Sequence, residues 1–334
     1  ETKEKPAPIS QVVDKLQQLQ DFLGEISVSP DPNKQAYEVA KARYLSGSGN
    51  PITSLRRYSK KTPDPVKRWL KTIAAESWRI ILSSAHQYVN SEWKNQVVGP
   101  YNRALAGRYP LVSSSNDELA LFDFSEFFKP EGTIDKFYIE LVKPFVNTRK
   151  GWSNRVIDNY SLGLRRKTLN QIRRAQSIKY IFFRKNPEVP SISFQLKPYR
   201  MDKKDIRFLL EVGNQRISYN HGPKFWKDLH WSGEDENKRV RIVFEDLNVE
   251  RHEKTYDGPW AWFKLQDASK LIKTKKSNVY LVSYEVTEAA DSMHRSASIS
   301  RNVTHKVKYL IKAKSVNNPF SQDLLSAFRC PSSI

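Results

Sequence analysis

The feature that most constrains the fold is a change of hydrophobic period near Pro187. Before it, apolar residues recur every three or four positions, the spacing of a helix face; after it they alternate one in, one out, the spacing of a strand. In the first half, Val12, Val13, Leu16, Leu19, Phe22 and Leu23 mark one amphipathic helix, broken by Pro30, Pro32 and Asn33. Ala36, Val39, Ala40 and Tyr44 mark a second, which runs into the loop SGSGNP. That loop has the composition of a phosphate-binding loop, but it lacks a following Gly-Lys-Ser/Thr and does not follow a strand, so it reads as a connector. Asp64 and Pro65 open the longest helical pattern, with Val66, Trp69, Leu70, Ile73, Ser77, Ile80, Ile81, Ser84 and Tyr88 on its predicted inner stripe; Gly99 and Pro100 are expected to interrupt it. Residues 161–178 predict another helix, with Leu162, Leu169, Ile172 and Ala175 inward and Arg165, Arg166, Lys167, Arg173 and Arg174 outward.

The second half reads as strands. Ile192, Phe194 and Leu196 alternate with polar residues, as do Ile206, Phe208, Leu210 and Val212, and Gly213-Asn214 supplies a tight turn into residues 216–219. Val240, Ile242 and Phe244 form a further run, with a weaker one near Val249. Tyr280, Val282, Tyr284 and Val286 precede Val303, His305, Val307, Tyr309 and Ile311, the last set carrying Lys306, Lys308, Lys312 and Lys314 on its other side. Turns and one short helix at 260–271, rather than regular crossover helices, separate these runs, which favours an antiparallel sandwich over a parallel sheet. The expected fold is therefore α+β: an α-helical domain over residues 1–186, then an antiparallel β-sandwich-like domain over 187–334, with the boundary at 183–190.

Between the helical segments, residues 101–152 concentrate aromatic residues and prolines. Phe122, Phe124, Phe127, Phe128 and Phe137 fall close together with Tyr138 and are expected to be core. Pro130 to Gly132 breaks the chain, and Thr133 can cap a helix whose face carries Ile134, Phe137, Tyr138, Leu141 and Val142 up to Pro144.

Composition excludes several classes. A hydrophobic content of 39% in 334 residues describes a globular chain. No window approaches the ~18 consecutive apolar residues of a membrane span, and the start at Glu1 without a signal-like run suggests a fragment whose anchor, if the parent has one, lies elsewhere. One cysteine, Cys330, cannot form an internal disulfide. The formal charge of +20 calls for an anionic partner: nucleic acid, anionic lipid or glycan, or acidic protein.

Chemistry is sparse. The six histidines are scattered, with His221, Asp228 and His230 the nearest approach to a metal cluster, and no HExxH, CxxC or G-x-S-x-G motif occurs. Glu76, Glu118 and Asp135 are the carboxylates most easily imagined in a cleft, yet a helix face, a polar loop and a helix first turn account for each. No catalytic, cofactor-binding or metal site is predicted. Arg165 to Arg174 and Lys306 to Lys314 could track phosphates, but no groove-reading motif accompanies them, so no specific nucleic acid is expected. Aromatic residues of the helical half fall on core stripes, whereas His221, Trp226, Trp231, Trp260 and Trp262 gather around Gly-Pro turns between strands. Those five are the predicted partner-binding residues.

Several segments also carry a family resemblance: LAGRYPL at 105–111, FFKPEGTIDKFYIELVKPFVNT at 127–148 with Trp152 nearby, YNHGP at 219–223, Trp231-Ser232-Gly233, GPWAWFKLQDA at 258–268, and NPF with AFRCPSSI toward the C-terminus. In this order they resemble the periplasmic C-terminal region of the IcmF/TssM family, the inner-membrane scaffold of bacterial type VI secretion. Ser232 and Asn147 depart from the pattern, standing where proline and an acidic residue are expected. The resemblance implies a non-enzymatic, cofactor-free scaffold in the periplasm, anchored in the inner membrane. It implies as partners an outer-membrane lipoprotein of the TssJ type, an inner-membrane TssL/DotU-type protein bound through parts outside this chain, and further copies of the scaffold itself. The alternatives are the IcmF of a type IVB system, a nucleic-acid-binding protein, or a protein that binds or hydrolyses cell-wall glycan.

Overall fold

The computed structural model describes residues 8–47, 49–149, 151–276, 278–289, 302–313, 320 and 324–334. In chain order the helical part comprises α1 (Pro8–Ser27), α2 (Pro32–Ser46), α3 (Pro51–Ser59) and α4 (Val66–Glu92). A π-helical turn, Trp93–Val98, carries α4 directly into α5 (Gly99–Ala104). Then come α6 (Leu121–Phe128), α7 (Thr133–Phe137), a π turn at Tyr138–Val142, a 3-10 turn at Lys143–Phe145, the short strands β1 (Val146–Asn147) and β2 (Ser153–Asn154), and α8 (Arg166–Phe182). The β part comprises β3 (Ser191–Met201), β4 (Asp205–Val212), β5 (Gln215–Tyr219), β6 (Lys227–Ser232), β7 (Val240–Asp246), β8 (Arg251–Tyr256), α9 (Ala261–Asp267), β9 (Lys270–Lys273), β10 (Val279–Ala289) and β11 (Asn302–Ala313). The α+β order read from the sequence is the order observed. The chain divides into two compact units, Glu1–Pro100 with Lys136–Arg173 and Cys330–Ile334, and Tyr101–Asp135 with Arg174–Arg329, so the contacts do not follow a single cut at 187.

In the first unit, α2 and α4 meet through small residues: Ala36, Ala40, Ala74 and Ala85 are almost fully buried. This corrects part of the predicted stripe of α4: Leu70, Ser77 and Ile81 are buried as expected, but Trp69, Ile73 and Ile80 are 62%, 38% and 55% exposed, while Trp78, Leu82 and Val89 are buried in their place. Close helix packing is achieved by alanine and serine, which a search for bulky apolar residues passes over. The segment 51–59, read as following a connector, is a helix, started by Asn50, whose side chain accepts from the Thr53 N–H at 2.9 Å, and by Pro51 in its first turn. Gly99 and Pro100 do not stop the helix; a proline in the first turn after a π bulge forfeits no needed hydrogen bond.

Aromatic hydroxyls and indoles fasten this unit to its loops. Tyr37 donates to the Glu140 carbonyl at 2.8 Å, Tyr44 to the Arg155 carbonyl at 3.1 Å and Trp78 to the Ile157 carbonyl at 3.2 Å. Arg43 and Arg56 both pair with Asp158. The C-terminal tail belongs here too: Trp93 donates to the Pro331 carbonyl at 2.7 Å and Thr168 to that of Ser333 at 2.8 Å. Residues 161–165, predicted helical, lie outside the helix instead, with Gly163 at a positive φ of 81° and the Asn154 amide pairing with both the N–H and the carbonyl of Leu164.

The second unit is built on two antiparallel sheets, ordered β6-β3-β11-β10-β9 and β5-β4-β7-β8. Their inner faces meet through aromatic residues: the Phe208 ring lies 5.0 Å from Phe244, 6.1 Å from Tyr284 and 5.5 Å from Tyr309. A register shift between Asp205 and Arg207 turns Asp205 inward and leaves Ile206 37% exposed, against the alternation read from sequence. Beside the sheets, α6 buries Phe124, Phe127 and Phe128, the i, i+3, i+4 face of its helix, and leaves Phe122 74% exposed. Phe122 is therefore no core residue.

Candidate partner-binding site

Three of the five residues expected at a partner surface are in the core. Trp260 and Trp262 are fully buried and Trp231 is 6% exposed. Trp231 stacks on Trp260 at 5.4 Å and donates to the Pro259 carbonyl at 3.1 Å, while Trp260 donates to the Leu119 carbonyl at 2.6 Å. Phe124 and Phe263 pack against Trp260 edge-on, and Trp262 stacks on Phe194 at 4.5 Å. A Gly-Pro turn sets where such a side chain leaves the backbone, not which way it faces; here the indoles turn inward and plug the sandwich. His221 is held at a positive φ of 62° with Nε2 2.7 Å from the Asp205 carbonyl, a turn-fixing role. The structure does not gather His221, Asp228 and His230 into a site: Asp228 accepts from Gln195 at 3.0 Å and the His230 ring faces Asp235.

Trp226 is different. It is 37% exposed, its neighbour Phe225 is 67% exposed, and it borders a groove of about 510 Å³ lined also by Thr274, Lys275, Lys276, Val279, Leu310 and Lys312. Lys312 Nζ lies 5.9 Å from the Trp226 ring centroid. The register shows how the sheet positions this site. Lys312 is paired with Val279, and Leu310 with Leu281, itself opposite Ile272. Paired residues share a face, so Ile272, Leu281 and Leu310 form an apolar row across β9, β10 and β11 on the face turned away from Tyr280, Val282, Tyr309 and Ile311. Sequence reading found Lys312 as part of a charged sheet face; Lys314 lies outside the described residues. Lys275 and Lys276 were missed, although the run KTKKSN between two strands was a visible signal.

The three carboxylates singled out in the sequence each have a basic partner. Asp135 is 2% exposed and accepts from Lys179 at 2.6 Å, Gln176 at 2.8 Å and the Glu131 N–H at 3.0 Å. Burial alone would raise its carboxyl, but those bonds outweigh it and hold it below the usual range. Glu118 pairs with Lys264, and Glu76 with Arg79 on an exposed helix face. Burial pushes the Cys330 thiol up to about 12, which leaves it protonated and non-nucleophilic at neutral pH. Among the described residues, one group, Asp246, Glu250 and His252, brings potential metal donors within 4.8 Å of one another. Its histidine already faces carboxylates: Nδ1 is 2.9 Å from Glu288 and Nε2 3.6 Å from Asp246. Burial would lower the imidazole, but these carboxylates raise it above its ordinary value.

Along the chain, helices are succeeded by a two-sheet antiparallel sandwich that carries a surface groove bordered by Trp226, an architecture that by itself fixes no function. Comparison with known proteins is more specific. The family model for the type VI secretion protein IcmF helical domain matches residues 84–187, and that for the type VI secretion protein IcmF C2-like domain matches residues 194–297. The chain belongs to the IcmF/TssM family of type VI secretion proteins. It is 28% identical over 275 residues to the type VI secretion system component TssM1 of Pseudomonas aeruginosa, an alignment that covers 82% of this chain and 24% of that protein. The chain thus spans about a quarter of that relative's length. Its fold is similar to that of a chain of a type VI secretion system membrane core complex, with a TM-score of 0.74 at 17% identity over all of this chain and 68% of that one. It is also similar to the TssM C-terminal domain from EAEC, with a TM-score of 0.59 at 17% identity over 75% of this chain and 98% of that one.

Proposed function

We propose that this chain is the non-catalytic, periplasmic part of an inner-membrane-anchored scaffold in a type VI secretion membrane complex, and that its second unit meets an outer-membrane lipoprotein of the TssJ type. The observation that carries this reading is the succession of the two IcmF domains along residues 84–297. Two further observations are consistent with it: no described helix is long and apolar enough to cross a membrane, and Glu76, Glu118 and Asp135 each have a basic partner. Contact with a TssL/DotU-type protein would be made by parts of the parent outside this chain, and assembly with further copies belongs to the full complex. The docking surface is the face around Trp226, since an exposed indole beside an apolar floor is the kind of anchor that dominates binding energy.

Calorimetry between this chain and the soluble domain of a TssJ-type lipoprotein from the same organism tests the reading. Binding is expected, with Trp226→Ala costing about 2 kcal/mol, near thirtyfold in Kd. Absence of binding by folded protein would overturn the partner, and release of fragments from purified cell wall by the chain alone would overturn its non-catalytic character.

A further inference from the structure

The chemistry of the groove at Trp226 says what kind of segment it takes, and we infer that its occupant is an acidic, extended peptide carrying apolar side chains between its carboxylates. The inference deepens the proposed lipoprotein contact but stands on the groove alone. The lining contributes three positive charges, Lys275, Lys276 and Lys312, and no carboxylate. None of these lysines has an ion pair among the described residues, whereas Lys306 on the same strand is already neutralised by Glu285. Unpaired cations beside an apolar surface leave their charge to be satisfied by whatever covers that surface.

The floor is as informative as the rim. Leu310 and Val279 lie in the groove, and the row Ile272–Leu281–Leu310 continues it across three strands, with Ile272 45% exposed. Trp226 forms a wall with Lys312 over its ring. A volume of about 510 Å³ suits a few side chains rather than a folded surface element. An extended peptide projects alternate side chains to opposite sides, so one set would enter the apolar floor while neighbouring carboxylates reach the lysine rim. Phosphate-bearing partners fit less well. The lining has no arginine to clamp a phosphate bidentately, and its single aromatic residue is no stacking platform for a nucleic acid strand.

The test titrates the whole chain, isotopically labelled, with a synthetic peptide of alternating glutamate and leucine, and reads the Trp226 indole N–H and the amides of Val279, Leu310 and Lys312 by NMR. The expected result is saturable shifts confined to these positions, weakened by added salt. Lys275→Gln/Lys276→Gln/Lys312→Gln should weaken binding at least tenfold and Trp226→Ala by a similar factor, while the positions of the other amide signals show both variants folded. Shifts elsewhere, no shifts at all, equal binding of a peptide with lysine in place of glutamate, or a preference for phosphatidylglycerol vesicles over the peptide would each overturn the inference. Because no lipoprotein is present, a negative result here beside intact lipoprotein binding removes the groove's assignment and leaves the envelope role. The converse removes only the lipoprotein.

Discussion

Phe122 and Phe124 are the same residue type two positions apart on one helix, yet the structure assigns them opposite weights. Phe124 is fully buried, with ring centroids 5.0 Å from Phe128, 5.3 Å from Phe182 and 5.1 Å from Trp260, whereas Phe122 is 74% exposed. Truncating a buried phenylalanine costs about 3–5 kcal/mol through lost transfer energy and the cavity left behind. For a unit of this size each kcal/mol lowers Tm by roughly 2–4 °C, so Phe124→Ala should lower the melting of the second unit by about 6–20 °C. Phe122→Ala should stay within about 0.5 kcal/mol of the parent. Scanning calorimetry with near-UV circular dichroism reads both, since loss of packing around Trp260 alters the aromatic signal. Equal shifts for the two variants, or a Phe124→Ala shift under about 2 °C, would refute the assignment of this helix face.

Gly258 sits at φ +99°, and a Cβ there would strike the Glu118 carboxylate, which also pairs with Lys264; Gly258→Ala should cost about 1–3 kcal/mol in denaturant melts, and a neutral result would contradict the turn. Burial would lower the His252 imidazole, but Glu288 and Asp246 outweigh it and raise it above its ordinary value. A raised folded value means stability that is complete below about pH 6.5 and lost as pH rises through the raised value. His252→Gln should flatten that decline in pH-dependent melts, and an unchanged slope would show that the cluster does not carry it. Residues 184–188 lie largely exposed between buried Phe183 and Pro190, so limited proteolysis should cut there first. The proposed sequence division at 187 then makes a second prediction. Residues 101–135 belong to the second unit with 174–329, so the nicked pieces should co-elute natively and part only in denaturant; a freely eluting fragment from 187 would show that contacts such as Phe124–Trp260 are not holding.

Much of the β part was legible, because a half-buried strand writes its two faces into alternate residues: β3, β4, β7, β10 and β11 were all read. β6 and β9 were not. Both are edge strands, and the lysine-rich β9 has no apolar alternation to reveal it. The bulge that swaps Asp205 for Ile206 is invisible to a period of two, since one extra residue reverses which face is apolar. In the helical part the existence of elements was clear and their orientation was not: alanines decide how closely α2 and α4 approach, leaving Trp69 outside. The site was legible as chemistry but not as exposure. Tryptophans near Gly-Pro turns look alike in sequence, and only packing separates Trp226 from Trp231, Trp260 and Trp262.

The most direct test of the envelope role places a photo-crosslinking amino acid at position 226 of the full-length protein in living cells, with the more exposed tryptophan position 69 as a control. Irradiation is predicted to yield an adduct with the TssJ-type lipoprotein from position 226 and none from position 69. An adduct from position 69 alone, or with a cytoplasmic protein from either position, would contradict the account.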